Sequence, residues 1–571
     1  MTVVSTTTKP GARPPPKITA AASFGAPQDD DFGAMKALII DDKDVSRMTV
    51  SGVLRDIGIG KVKTVHGPVQ ARSHLKENTY DVILCEYHFS GAETGQDLLD
   101  DIRSKRLVPF NTIFFMVTGE AIYDRVASVV ENAPDDYLLK PFKPSTLEER
   151  LNRALNKKIA LLPIWTNIEE KSFEHALTRC KIMVRDRHPF WLDAARIGAE
   201  LSMHLKRHKE AQQMYDMVLE AKALPWAKLG VAQVALTESD TERARGSLES
   251  LVSESSAYVD AYDMLARVYF EEGDLGRALE TLRRAVEATP SNVMRLQKLG
   301  SLAFLVGDPD EAETMLSKAY KLSQGNRDFD AQTVMLLMFL TAAKAAGNPQ
   351  LVREAERYAG VLAMARDKAP EVFRYAAMVR IAEVCLHALN GDRNRAEEGL
   401  RSLDDIVSSP AADFETVSSL LILMSRLDAA GIKPLDAAAW TRRCARRHAI
   451  SKTAVDLLSA SLGHMKDMIE IVVQEHGQIS YQINDAMARL LKDDADGTAR
   501  RLDELARDTL NARVFSLAEN LANKHSKKLS PSSQQLLREL REFGAQYGAN
   551  GASVGLARIT ANPRSRLPLE G

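Results

Sequence analysis

Cysteine is scarce in this chain: four residues in 571, at Cys85, Cys180, Cys385 and Cys444, with no two close in sequence. That scatter speaks against a zinc ribbon or a disulfide framework and leaves buried thiols as the expectation. Charge of one sign is also missing, since a net −2 and 6% aromatics give no mark of a polyanion-binding protein. The densest basic stretch, Arg442-Arg443-Cys444-Ala445-Arg446-Arg447-His448, has no aromatic interleaved after Trp440 and reads as a solvated helix face, not a nucleic-acid site. No apolar run is long enough to span a bilayer, and residues 1–33 lack an apolar segment of signal-peptide length. A cytoplasmic protein without membrane contact is expected. Residues 1–33, rich in Thr, Pro, Ala and Gly, and residues 546–571 hold little that could build a core, and read as disordered tails.

Chemistry is concentrated near the start of the chain. Lys36-Ala-Leu-Ile-Ile-Asp41-Asp42 is a short apolar strand ending in two carboxylates, followed by a helical pattern through Val45, Met48, Val53 and Leu54. Asp81-Val-Ile-Leu-Cys-Glu86 ends in another acid, Thr112-Ile-Phe-Phe-Met-Val-Thr118 in a hydroxyl, and Tyr137-Leu-Leu-Lys140 in an amine before Pro141. These strands alternate with helical segments, and in an open parallel sheet their carboxyl ends meet at one edge. The order alone predicts one polar site.

The same residues resemble the response-regulator receiver family over residues 35 to about 156. The acidic pair Asp41 and Asp42, the hydroxyl Thr118, the aromatic Tyr137 and Lys140 with Pro141-Phe142 stand in the family's order, and Asp135-Asp-Tyr-Leu-Leu-Lys-Pro-Phe142 is a specific match. The resemblance implies a flavodoxin-like, doubly wound sheet of five parallel strands. It implies Mg²⁺ held by the acidic pair and the acceptor position, and a phosphoryl group, delivered by a histidine kinase, contacted by Thr118 and Lys140. At the acceptor position, however, the family's Asp is replaced by Glu86. The loop Tyr87-His-Phe-Ser-Gly-Ala-Glu-Thr-Gly95 also lacks the common proline and runs one residue longer.

The extra methylene of Glu86 carries its carboxylate on the order of an ångström towards Thr118 and Lys140, away from the attacking position of an Asp, so in-line transfer should suffer. A fixed Glu supplies one negative charge where a phosphorylated Asp adds roughly two. Three outcomes follow: a receiver locked near its active conformation, a structural pseudo-receiver, or residual regulation by a cation or another ligand. Asp41, Asp42 and Glu86 form a hard-oxygen set suited to Mg²⁺, unless the longer acid pairs with Lys140 instead.

Beyond residue 157 the signal is repetition. Tyr262, Leu265, Ala266, Tyr269, Gly273-Asp274, Ala278, Leu282, Ala285 and Pro290 resemble a tetratricopeptide repeat, and a second copy 34 residues on carries Leu296, Leu299, Gly300, Gly307-Asp308, Ala312, Leu316 and Ala319. Trp226, Leu229, Gly230, Ala244, Leu248 and Leu251 form a third; Ala211, Tyr215 and Val218 close a fourth; copies degrade after Gly347-Asn348 and Gly391-Asp392. The expected fold class is therefore an α/β receiver over 34–157, then an all-α helical-repeat superhelix over 158–409. Further helices over 410–545 read as degenerate repeats or a cap.

Such arrays usually hold a peptide or protein in a concave groove. Arg267, Glu271, Arg295 and Lys298 stand at non-consensus positions of first helices, where groove lining or plain solvated surface is expected. A histidine kinase is expected to dock, if at all, on the first receiver helix around Arg47 and Leu54, and the receiver face offers a route to a homodimer. No nucleophile–base or metal-ligand constellation occurs in the helical region, so no enzymatic activity is expected. The composite reading is a two-component-type signalling adaptor, with a constitutive scaffold whose receiver serves only interaction or dimerisation as the alternative.

Overall fold

The structure, a computed structural model, describes residues 32–546 apart from 91–92, 105–106, 110, 120–133, 239, 257, 324–328 and 435. The tails expected at either end fall almost wholly outside the described residues. Phe32 is an exception: it is buried in the core beneath the first strand, so the folded chain starts slightly earlier than composition indicated.

Five strands, β1 (Lys36–Ile40), β2 (Lys61–Val65), β3 (Val82–Glu86), β4 (Ile113–Thr118) and β5 (Asp136–Leu139), form one sheet in the order β2-β1-β3-β4-β5. All pairings are parallel. The central strands β3 and β4 read as unbroken apolar runs because both faces are covered. The edge strand β2, Lys-Val-Lys-Thr-Val, is charged and largely exposed, which is why its sequence stands out so little. Helices α1 (Asp44–Asp56), α2 (Pro68–Leu75), α3 (Gly95–Ser104) and α4 (Pro144–Glu169) pack around the sheet. One face buries Val50 and Leu54 of α1 with Leu147 and Leu151 of α4; the other buries Ala71 and Leu75 of α2 with Leu98, Leu99 and Ile102 of α3.

Helix α4 is 26 residues long and serves two cores. Leu147, Leu151, Ala154 and Leu155 belong to the sheet's core, whereas Leu161, Ile164 and Ile168 join Ala176, Leu177 and Cys180 of the next helix, Phe173–Arg185. The junction expected between residues 157 and 158 thus lies inside a helix. Lys158 makes a 3.0 Å ion pair with Asp135 at the foot of β5, and Lys157 reaches Asp193 at 3.1 Å in the helix Trp191–His204. Burial opposes ionisation of Asp135, yet Lys158 and the Phe114 N–H hold its carboxyl below its ordinary range.

The described residues form two compact units, one ending at Asp260 and one running from Ala261. In the first, Trp191–His204 pairs with His208–Ala221, and Pro225–Thr237 with Thr241–Glu254. In the second, Val259–Glu272 leads into Leu275–Ala288, followed by Val293–Val306 with Pro309–Ser323, Ala331–Lys344 with Pro349–Lys368, and Phe373–Leu389 with Arg393–Arg401. Asp or Asn caps recur at the helix starts: Asp240, Asp274, Asn292 and Asp392 each accept the N–H three residues on. Gly300 lets paired helices close: a Cβ there would stand 2.6 Å from the Leu316 side chain.

Several expectations about surfaces need correction. Arg295 and Lys298 do not line an open groove; both converge on Asp263, at 2.6 and 3.5 Å, and Arg295 is buried. Arg267 and Glu271 do lie at the surface, paired with each other at 2.7 Å. The basic stretch is solvated at Arg442 and Arg443, as expected, but it is also tied down: Arg442 bonds Glu475, Arg443 bonds Asp404 and Arg446 bonds Asp508, joining the helix Ala437–His448 to its neighbours. All four cysteines are buried and free, as their scatter indicated. The longest described helix of the second unit, Lys466–Leu491, lies in the stretch where further helices are expected. No described helix is long and apolar enough to cross a membrane.

Candidate functional site

The carboxyl ends of β1, β3, β4 and β5 deliver the polar residues to one edge, with the order reversing between β1 and β3, where an open sheet forms its crevice. Lys140 is at the centre. Its Nζ lies 2.6 Å from Asp41 Oδ2, 2.6 Å from Glu86 Oε2 and 2.6 Å from Ser46 Oγ. The second Glu86 oxygen, Oε1, accepts the backbone N–H groups of Tyr87 at 2.9 Å and His88 at 3.3 Å. Asp41 Oδ1 accepts the Lys43 N–H at 2.9 Å, while its Oδ2 also accepts the Ser46 hydroxyl at 2.6 Å.

Asp42 is not part of this knot. Its Oδ2 accepts the Ser90 N–H at 2.7 Å and the Ser90 hydroxyl, and the hydroxyl bond holds its carboxyl below the ordinary range. Thr118 closes β4 beside Lys140, whose N–H donates to the Thr118 carbonyl at 2.8 Å. Tyr137 is buried in the core layer on the α2–α3 face. Burial of the Lys140 ammonium works against its charge, but Asp41 and Glu86 outweigh this and raise its pKa. Cys85, next along β3, is pushed well above its ordinary value by burial and by the same two acids, and stays a neutral thiol.

The loop after β3 is pinned. His88 bridges Thr94, and the Gly95 N–H donates to the Tyr87 carbonyl at 2.8 Å. A Cβ at Gly95 would collide with the Glu86 carbonyl oxygen, so only glycine can stand there.

Sequence order thus brings Asp41, Glu86, Thr118 and Lys140 together, and separates Asp42 from them. Ser46 and Ser90 escaped sequence reading; the only signal for Ser46 is its place one helical turn after Asp41-Asp42. Arg47 and Leu54, the expected docking residues of α1, are both buried, Arg47 donating to the Asp41 carbonyl at 2.6 Å. The exposed apolar residues of α1 are Val45 and Met48.

Whether Mg²⁺ fits can be judged from the donors. A hard dication needs several oxygens facing a common point. Here the acids that face each other share the Lys140 ammonium, and the third is turned to Ser90. No group of three His, Cys, Asp or Glu residues among those described is disposed to hold a metal ion. The arrangement does not fit the ion without displacement of Lys140.

Known proteins resemble two stretches of this chain. The family model described as response regulator receiver domain matches residues 37–152, and one described as tetratricopeptide repeat matches residues 235–301. Chemotaxis protein CheY-3 of Vibrio cholerae is 28% identical over 123 residues, 22% of this chain and 93% of its own length. The two-component response regulator ORR5 of Oryza sativa subsp. japonica is 30% identical over 125 residues, 22% of this chain and 90% of its own length. Among solved structures, the C-terminal part of a tetratricopeptide-repeat protein from Cytophaga hutchinsonii is 13% identical with TM-score 0.34, covering 42% of this chain and 93% of that one. A tetratricopeptide-repeat protein from Parabacteroides merdae is 13% identical with TM-score 0.32, covering 50% and 98%. Overlaps that low carry no weight for the fold.

Proposed function

The chain belongs to the response-regulator receiver family through residues 37–152, and from that premise we propose that it is a two-component-type signalling adaptor whose receiver holds one internally paired state and governs a protein-binding helical array. Receiver plus tetratricopeptide repeats is the composition of an adaptor or scaffold. The observation that supports the control reading is Lys140, bonded at 2.6 Å to both Asp41 and Glu86.

Phosphoryl transfer to a carboxylate needs a free oxygen in line with the phosphorus and a cation to neutralise the transferring group. Glu86 presents neither: one oxygen is held by two backbone N–H groups and the other by Lys140. A reacting acceptor would have to give up these bonds. The lysine instead supplies the positive charge that balances both acids, which is how a buried carboxylate pair persists without a metal. Lys140 follows β5 directly, and β5 leads into α4, whose far half lies in the array core. State at residue 86 therefore has a covalent and packed route to the repeats. Val45 and Met48 are the exposed apolar residues of α1, the surface on which a histidine kinase or a second receiver would sit.

Two measurements test this. Incubation of the full chain with Mg²⁺ and a small acyl phosphate, read by intact mass, should show no phosphoryl adduct; an adduct mapped to Glu86 would sink the reading. Hydrogen exchange over 144–169 should rise in Glu86→Ala, which leaves the Lys140 charge short of one partner. Identical protection over 158–169 in wild type and variant would leave the alternative, a constitutive scaffold with a passive receiver.

A further inference from the structure

The face expected to bind a partner is already occupied in the second unit, and by the chain itself. First helices of successive hairpins pack side by side there: Val293–Val306 on Ala331–Lys344, and Ala331–Lys344 on both Phe373–Leu389 and Phe414–Ala429. A helix that packs only on its hairpin partner and its neighbours keeps one face in water. Ala331–Lys344 does not, being buried without interruption from Ala331 to Thr341, and Phe414–Ala429 is buried likewise from Phe414 to Met424. Phe414–Ala429 lies on Ala331–Lys344, where the Ser419 hydroxyl donates to Gln332 at 3.0 Å, and is itself covered by a later segment.

That segment is the short helix Lys452–Leu462, which packs against Phe414–Ala429, Val293–Val306 and the following helix Lys466–Leu491, and buries Leu457, Leu458 and Leu462 completely. Its two buried hydroxyls are both matched. The Thr453 hydroxyl donates to the Phe270 carbonyl at 2.7 Å, across 183 residues of sequence, and Ser461 pairs with Ser418 at 2.7 Å. The helix is 11 residues long, starts at a Ser451 cap and stops at Gly463, where φ is positive. A helix that short has little stability of its own and forms on its docking surface.

We propose that Lys452–Leu462 is an internal ligand of this face: the surface recognises a short helix carrying leucines and small hydroxyl residues, and accepts such a helix from another protein only when the internal one withdraws. This deepens the reading that the array binds a protein, and names the chemistry of the partner as an amphipathic helix of Leu, Ala and Ser. Apparent affinity for an incoming helix is then set by the fraction of molecules in which the internal helix has left.

The probe is a labelled synthetic peptide of residues 450–464, added to the full chain and read by fluorescence anisotropy, with circular dichroism on every variant. Thr453→Val removes the bond to Phe270 without changing shape, and peptide affinity should rise about fivefold. Leu458→Ala should raise it on the order of a hundredfold. Both changes lie in the internal helix, so the receiving face stays native; should Leu458→Ala lose its fold, Thr453→Val carries the test. A folded Thr453→Val that binds no better than wild type, or wild type that binds as tightly as the variant, overturns the proposal. Equal binding of a peptide with Asp at both positions 457 and 458 overturns it too. The receiver is native throughout, so failure here leaves the reading of Glu86 and Lys140 untouched.

Discussion

Two helices in the same hairpin position behave differently. Trp191–His204 alternates buried Ala194, Ala195 and Ile197 with half-exposed Arg196 and Glu200, which pair with each other at 3.3 Å. Ala331–Lys344 has no such stripe before its last turn; from Ala331 to Thr341 its polar members Gln332, Thr333 and Thr341 are all buried, Gln332 accepting from Ser419 at 3.0 Å. The repeat architecture is common to both, so it does not decide whether a face is available. What decides it is whether a later part of the chain returns to cover that face.

The comparison breaks most sharply at large side chains. Phe339 is fully buried, and Phe339→Ala should cost the second unit about 3–5 kcal/mol. Trp191→Ala, at a partly buried ring under the Arg187 guanidinium, should cost less than half of that. Denaturant midpoints of the two variants measure the difference, and equal losses would mean the two helices are equally enclosed.

Acid should act next, and in the covered region. His448 is half-buried against Phe414, and burial of its ring, with Arg447 nearby, pushes its pKa from 6.5 to about 3. The folded value is depressed, so this histidine's stabilising effect is complete above pH 6.5 and is lost as pH falls from there towards 3, to a total of a few kcal/mol. His448→Gln should flatten that part of the stability profile; parallel profiles for variant and wild type between pH 6.5 and 4 would refute the assignment.

The smallest effects compare two ion pairs around one helix. Asp263→Asn deprives buried Arg295 of its carboxylate and should cost about 2 kcal/mol. Glu271→Gln, which breaks the surface pair with Arg267, should cost about 0.5 kcal/mol or less. Thermal melts in low and high salt separate them, since only the surface pair should respond to screening.

Much of this was legible beforehand for physical reasons. Strands that end in acids, a hydroxyl and an amine, alternating with helices, leave little choice of topology, because parallel connections are right-handed and short. The 34-residue spacing from Tyr262 to Leu296 marks stacked hairpins because each hairpin alone leaves its apolar face bare. A signal for the covered face was also present: Val334-Met-Leu-Leu-Met-Phe-Leu340 has no polar stripe, which a helix can tolerate only when enclosed on every side. The ion pairs of the arginine-rich stretch at 442–447 were not legible because its acidic partners, Asp404, Glu475 and Asp508, are tens of residues away in sequence.

By itself, then, the amino-acid sequence determined the receiver sheet, the identity of the residues at its polar edge, the replacement of the acceptor by Glu86 and the existence of the repeats, since each rests on local pattern or on spacing. Tertiary structure alone decided three things: that Lys140 bonds Asp41 and Glu86 while Asp42 turns to Ser90, that α4 belongs to two cores, and that Lys452–Leu462 packs on Phe414–Ala429 and Val293–Val306. Each depends on side-chain direction or on contacts between residues up to 183 positions apart, and no periodicity along a chain encodes which distant surface a segment will meet.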